Sequence, residues 1–248
     1  MTTPKTKPAS WSFSRLSDFS KCRFMYKLKY LDKVPEPERV LRKGQVEFAN
    51  DRGTRVHSNI EEYVRGEHDA LCDEANKHFG VHIDFLRHQY EAGNVEMEES
   101  WAYDRDWEVA DWDTGWLRMK IDALVHVSKY DAFIVDFKTG RHAGNEVGHA
   151  SQLHLYAAST FLRYPELEEV SVADWYLDHD LITEKVLTRD QALRFKPGFD
   201  KQGKTLTDCK DFPTNANRFS CRWCCYSQEG TGHCQVGVKT VAMPKSRK

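Results

Sequence analysis

Long apolar runs are missing from this chain. No stretch approaches the ~20 apolar residues that a membrane-spanning helix needs, so no membrane association is expected. The opening residues, MTTPKTKPAS, lack the apolar core of a secretion signal and read as a flexible arm. The expected location is therefore intracellular and cytoplasmic. An excess of charge is missing too: 36 Lys and Arg against 38 Asp and Glu give a net charge of −2. That excludes binding to nucleic acid by bulk positive charge, and any such surface must be a local patch. Internal repeats are absent, and the 8 prolines are few enough to serve as boundary marks. Against this, 40% of the residues are hydrophobic, with 13 Phe, 10 Tyr and 7 Trp, so a chain of 248 residues can bury a real core. One large domain is expected over residues 1–248. In a reducing compartment the seven Cys read as metal ligands or core residues before disulfides.

Hydrophobic spacing and turn residues divide the chain. Ser14 reads as the N-cap of a short helix through Phe19. Cys22–Leu31 is ambiguous in period and reads as helix, and Pro35 and Pro37 mark a linker. Val56, Ile60, Tyr63 and Val64 recur at helical spacing within an expected helix from Gln45 to Val64. A second helix carries Leu71, Ala75, Phe79, Ile83 and Leu86 and closes at Ala92–Gly93–Asn94. Strands are expected at 95–103, 106–112, 116–128 and 132–137. A helix from Val147 to Tyr164 follows, then strands Val170–Leu177 and Leu181–Leu187. From Pro197 the chain shows little periodicity. This order suggests an α/β domain with a mixed central sheet flanked by helices.

Residues 132–140 read Ala-Phe-Ile-Val-Asp-Phe-Lys-Thr-Gly. Phe133, Ile134 and Val135 make a buried strand. Alternation along it puts Asp136 and Lys138 on one face and turns Phe137 into the core. A turn near Lys129–Asp131 would pair Asp136 with a residue close to Asp122 on the preceding strand. Two carboxylates so placed can share one divalent cation, and hard oxygen ligands select Mg²⁺ or Mn²⁺ over zinc. A bound metal would acidify a water and offset phosphate charge, with Lys138 orienting that water. The competing reading is a surface Asp–Lys pair with Asp122 unrelated.

These residues, with others in order along the chain, resemble the PD-(D/E)XK nucleases. Within them the likeness is to the RecB-like group, which includes phage-type exonucleases and the CRISPR adaptation nucleases with iron–sulfur clusters. The matching segments are Arg52-Gly53-Thr54-Arg55-Val56-His57, Lys120-Ile121-Asp122, Val135-Asp136-Phe137-Lys138-Thr139-Gly140 and Gln152-Leu153-His154-Leu155-Tyr156, together with the cysteines. The resemblance implies a restriction-endonuclease-like core over about 45–190. It makes Asp122 and Asp136 metal carboxylates, His57 and the Phe137 carbonyl further metal ligands, and Lys138 the catalytic lysine. Gln152 and Tyr156 match a Q-x-x-x-Y motif on one helical face and are expected at the catalytic site. A further glutamate is implied upstream of Asp122; Glu96, Glu98 and Glu99 compete, and Glu98 is taken.

Cys221-x-x-Cys224 has a metal-ligand spacing, and Cys234 lies beyond a glycine-containing loop. The resemblance supplies Cys22 as fourth ligand of a [4Fe–4S] cluster, in a helical cysteine-stapled lobe built from about 11–31 and 209–236. Zinc is the rival. Cys225 leaves the ligand choice open, and His233 could replace a cysteine. Cys72 and Cys209 read as plain core or surface residues.

The partner implied is DNA, as single strands or ends, held by Arg15, Lys21, Arg23, Lys27 and Lys29 interleaved with Phe24, Tyr26 and Tyr30. Arg39, Arg42, Lys43, Arg52 and Arg55 extend this stretch. Lys239, Lys245, Arg247 and Lys248 read as a disordered tail. The expected activity is a Mg²⁺- or Mn²⁺-dependent deoxyribonuclease, an exonuclease serving recombination, repair or replication, with proteins of those processes as partners. A phage-encoded chain would act in the host cytoplasm. The alternatives are a non-catalytic nucleic-acid-binding module and an endonuclease on the same fold.

Overall fold

The computed structural model describes residues 10–41 and 43–237. The arm before Ser10, Arg42 and the tail with Lys239, Lys245, Arg247 and Lys248 lie outside the described residues. The chain divides into two compact units, one of Met1–Val40 with Lys201–Lys248 and one of Leu41–Asp200.

The first unit opens with α1 (Phe13–Lys21), capped by Ser12 rather than Ser14. Ser12 is extended, and its side chain accepts a 3.3 Å hydrogen bond from the Arg15 N–H. Ser14 is already inside the first turn, where its hydroxyl cannot serve as cap. Then come α2 (Arg23–Tyr26) and a π-helical turn, Lys27–Leu31.

The second unit starts with α3 (Ala49–Val64), later than Gln45 because Phe48 is still extended. α4 (Asp73–Glu91) precedes the strands β1 (Val95–Tyr103), β2 (Val109–Ala110), β3 (Leu117–His126) and β4 (Asp131–Lys138). α5 (Glu146–Arg163), β5 (Glu169–Tyr176), β6 (Leu181–Thr188) and α6 (Arg189–Leu193) follow. The strand expected over 106–112 shrinks to two residues. The Asp104 carboxylate accepts from the N–H groups of Asp106 and Glu108 at 2.9 and 3.0 Å, and Trp107 takes a φ of 69°. That turn consumes the backbone groups a longer strand would have offered.

The six strands form one sheet in the order β2-β1-β3-β4-β5-β6. Only β4 and β5 pair in parallel, and α5 is their crossover. This is the mixed sheet flanked by helices that the resemblance implied. On one face Val56, Ile60 and Val64 of α3 and Phe79, Ile83 and Leu86 of α4 meet Met97, Ala123, Val135, Phe137 and Trp175. Each such buried side chain stabilises by ~2 kcal/mol. α5 lies on the other face, where Tyr103 donates a 2.7 Å hydrogen bond to the Ser159 carbonyl.

α7 (Lys196–Thr207) begins at the end of this unit and runs into the first. It was not anticipated, since Pro197 and Gly198 argue against a helix. Both sit in its first turn, where a missing N–H costs nothing. α8 (Arg218–Cys221) is capped by Asn217, whose side chain accepts from Phe219 and Ser220. Among the described residues no helix is long and apolar enough to cross a membrane.

Candidate active site

Asp136 and Lys138 leave β4 on the α5 face, with Phe137 between them in the α3–α4 core. β3 and β4 pair from His126↔Ala132 to Ala123↔Val135, and the next step of that register sets Asp122 opposite Asp136. Asp122 Oδ2 accepts a 2.7 Å hydrogen bond from the Phe137 N–H. From α3, His57 Nε2 lies 3.0 Å from the Phe137 carbonyl oxygen. Its Nδ1 lies 3.4 Å from Asp122 Oδ1 and 3.8 Å from Glu98 Oε1.

Glu98 separates from its competitors by position. Met97 pairs with Ala123 and Glu99 with Ile121, so Glu98 stands across from Asp122. Its φ of 51° is left-handed, which costs about 1–2 kcal/mol in a residue with a Cβ. Glu96 turns elsewhere, accepting from Tyr164 Oη at 2.7 Å and pairing with His126 Nε2 at 2.6 Å.

One ligand atom each from His57, Glu98 and Asp122 lie within 4.8 Å of one another. Neighbouring ligands of an octahedral ion with ~2.1 Å bonds stand ~3 Å apart, and opposite ones ~4.2 Å. The carboxylate oxygens of Glu98 and Asp122 and the His57 nitrogen fit a divalent ion in spacing. The electrostatics agree. Burial first, then the nearby Asp136 charge, raise the Asp122 carboxyl above the ordinary carboxylate range, while His57 and the Phe137 N–H oppose them. Burial alone would lower His57, yet its contacts with Asp122 and Glu98 outweigh this and push it up to about 10. The Asp122 and Glu98 carboxylates therefore favour positive charge beside them.

Lys138 pairs with the Asp136 carboxylate and donates a 2.9 Å hydrogen bond to Gln152 Oε1. Gln152 Nε2 donates in turn to Tyr156 Oη at 2.6 Å, one turn along α5. Burial would discharge Lys138, but Asp136 and then Asp174 hold its ammonium above the ordinary value. Asp174 was missed by sequence reasoning. It is 1% exposed, it pairs with Asp136 in the parallel register of β4 and β5, and its Oδ1 lies 3.8 Å from Lys138 Nζ. Burial, then the Asp136 charge, push its carboxyl up to about 7. An acidic residue amid Val172, Ala173 and Trp175 was the available signal.

The basic stretch expected to hold DNA is largely occupied by its own unit. Tyr26 is fully buried and cannot stack on a base. Lys29 pairs with Asp18 at 3.1 Å and Lys27 with Asp32 at 2.5 Å. In the other unit, Arg52 is held by Asp178 and Arg55 by Glu47 and Glu74, all at 2.6 Å. The exposed aromatics of the first unit are Phe219 and Trp223, 74% and 70% exposed. The Arg218 and Arg222 guanidinium carbons lie 4.8 and 4.9 Å from their ring centres.

In the same unit Cys22, Cys221, Cys224, Cys225 and Cys234 line a cavity of about 650 Å³, with Phe24, Met25 and Leu28 among its walls. The segments around Cys22 and Asn215 meet there. Asn215 donates from its backbone to Cys22 Sγ at 3.4 Å and from its side chain to the Lys21 carbonyl at 3.0 Å. Burial, then a backbone contact that opposes it, then the thiols of Cys22, Cys221 and Cys234 act on Cys224, and the net effect is upward. Cys225 is pushed up to about 11 by burial, then Glu36 and Cys224. His233 is exposed, 2.7 Å from Thr231 Oγ1. Cys72 packs against the α3–α4 core, and Cys209 donates to the Asp211 carbonyl.

The sequence profile of the PD-(D/E)XK nuclease superfamily matches residues 10–228. The chain belongs to this superfamily. PD-(D/E)XK nucleases use divalent metal ions, and the His57–Glu98–Asp122 group is an acidic site of that kind. A solved structure described as SSO0001 is 13% identical, with 94% of this chain and 89% of that one covered and a TM-score of 0.43. A protein from Eubacterium rectale, provisionally described as an exonuclease, is 11% identical, with 83% and 84% covered and a TM-score of 0.47. A comparison with curated proteins gives no match.

Proposed function

We propose that this PD-(D/E)XK nuclease hydrolyses phosphodiester bonds in DNA with Mg²⁺ or Mn²⁺, working from ends or along single strands. The observation that carries the reading is the grouping of His57, Glu98 and Asp122 within 4.8 Å, beside a β4 strand bearing Asp136 and Lys138. His57, Glu98, Asp122, Asp136 and the Phe137 carbonyl would hold the ion. A bound ion acidifies a water and neutralises charge on the scissile phosphate. Lys138 aims an N–H at that water or at the phosphate as negative charge develops. Gln152 holds the Lys138 ammonium in place, and the Tyr156 hydroxyl holds Gln152. The bound Phe137 N–H keeps the Asp122 carboxylate from rotating away. The resemblance to the RecB-like group supports exonuclease action in recombination, repair or replication.

The cysteine cavity supports a [4Fe–4S] cluster on Cys22, Cys221, Cys224 and Cys234. A single zinc ion with 2.3 Å bonds gathers four sulfurs ~3.8 Å apart around a point. Here Cys22, Cys221, Cys224 and Cys234 line one cavity, and zinc on the same four thiols is the second reading. Cys224 feels the thiols of Cys22, Cys221 and Cys234, which supports Cys224 over Cys225 as the ligand.

End-labelled linear DNA and closed circular DNA with Mn²⁺ test the activity. Linear DNA is shortened from an end and circles stay intact under the exonuclease reading. Cut circles would make the protein an endonuclease, and no cleavage of either would leave a binding module.

A further inference from the structure

We propose that Asp174 is a positioning residue for Lys138, holding its ammonium in line for the reaction; the inference rests on the nuclease reading of the site. β5 is otherwise apolar around it, with Val172, Ala173 and Trp175 buried, so a carboxylate there costs stability unless a cation answers it. The Asp174 oxygens are weakly served. Oδ2 receives hydrogen bonds of 3.5 Å from Tyr176 Oη and Thr183 Oγ1, and buried Oδ1 has no hydrogen-bond partner. Oδ1 instead faces Lys138 Nζ at 3.8 Å.

A lysine offers three N–H donors. Asp136 forms an ion pair with Lys138 and Gln152 accepts from it at 2.9 Å, while Asp174 Oδ1 lies 3.8 Å away, at ion-pair distance. Asp136 is also wanted by a metal ion, so it cannot be the fixed anchor. Asp174 and Gln152 can be, since neither is among the residues proposed above to hold the ion. Parallel pairing of β4 and β5 puts the anchor one strand away from the lysine it serves.

Asp174→Leu and Asp174→Asn test this with Mn²⁺ and end-labelled DNA. Asp174→Leu lowers kcat about 10- to 30-fold, as loss of an orienting partner does. KM for DNA, Mn²⁺ affinity and the melting temperature stay within twofold or a few degrees of the parent. Asp174→Asn keeps an acceptor and recovers most of kcat. Unchanged kcat in Asp174→Leu overturns the proposal, and so does a loss of kcat matched by lost melting temperature in both variants. A second reading does not depend on cleavage. Acetic anhydride labelling of Lys138, followed by peptide mass spectrometry, rises several-fold in Asp174→Leu if the anchor is real. Equal labelling overturns the proposal, whereas absent cleavage in the parent protein with increased labelling in the variant defeats only the nuclease reading.

Discussion

The Asp122 carboxylate and the Phe137 backbone N–H are joined by a 2.7 Å hydrogen bond from β4 to β3. This bond spends one carboxylate oxygen on geometry and leaves the other facing His57. Asp122→Asn keeps an oxygen for the Phe137 N–H and loses only the charge. Mn²⁺ affinity by calorimetry should fall at least about tenfold and cleavage about 100-fold, equivalent to ~2.7 kcal/mol of transition-state stabilisation. Melting in EDTA should not fall, because one of two neighbouring buried carboxylates has gone. Unaltered Mn²⁺ binding would remove Asp122 from the metal site.

Lys138 is the cation that Asp136 and Asp174 share. Lys138→Ala should abolish cleavage and keep DNA binding, as read by gel shift with catalytically inert Ca²⁺. It should also destabilise the metal-free protein by about 3–5 kcal/mol, because two buried carboxylates lose their partner. Cleavage at the parental rate would end the catalytic role of this lysine.

His57 aside, which the resemblance supplied, the parts of the site that could be read in advance share one property: their partners are near in sequence. β3 and β4 form a hairpin, so counting from its turn set Asp136 close to Asp122, and strand alternation set Lys138 beside Asp136. Gln152 and Tyr156 are one helical turn apart. Asp174 escaped because its neighbour Asp136 lies across a parallel pairing, with all of α5 between them. Glu98 could not be separated from Glu96 and Glu99 by spacing, since a left-handed residue in β1 leaves no mark on the apolar pattern. Tyr26 looked like part of a basic, aromatic DNA surface because period alone does not say which face a short helix buries.

Asp174 also sets a pH dependence. Its carboxyl is raised to about 7 in the fold, against about 3.9 in an unfolded chain. The folded form then binds the proton more tightly, so this contribution to stability is full below about pH 4. It is lost as pH rises to about 7, and is flat above that. Urea midpoints in EDTA should therefore fall for the parent protein over this window relative to Asp174→Asn. A difference between the two that does not change with pH would show that the carboxyl titrates normally.

The cysteines divide into two sets with opposite expected behaviour. Freshly purified protein should be brown, with absorbance near ~400 nm from thiolate-ligated iron. Cys221→Ala and Cys234→Ala should lose the colour and melt earlier, since the ends of the first unit lose their shared anchor. Cys225→Ala, Cys72→Ala and Cys209→Ala should keep it. A colourless, zinc-containing preparation would replace the cluster with the rival ion.

Trp223 and Phe219 are largely exposed, each with an arginine guanidinium against its ring, in a segment, Pro213–Trp223, that carries two arginines and no acidic residue. Stacking a base on an aromatic ring is worth ~1–3 kcal/mol. Trp223→Ala should therefore weaken binding of a labelled single strand by roughly 5- to 150-fold, read by fluorescence anisotropy with Ca²⁺ present. Arg222→Ala should act differently. If it touches a phosphate, it lowers the slope of log affinity against log salt by about 0.7. Trp223→Ala should leave that slope unchanged, because stacking releases no counterion. If both variants bind with parental affinity and slope, the strand runs elsewhere and these rings serve another surface.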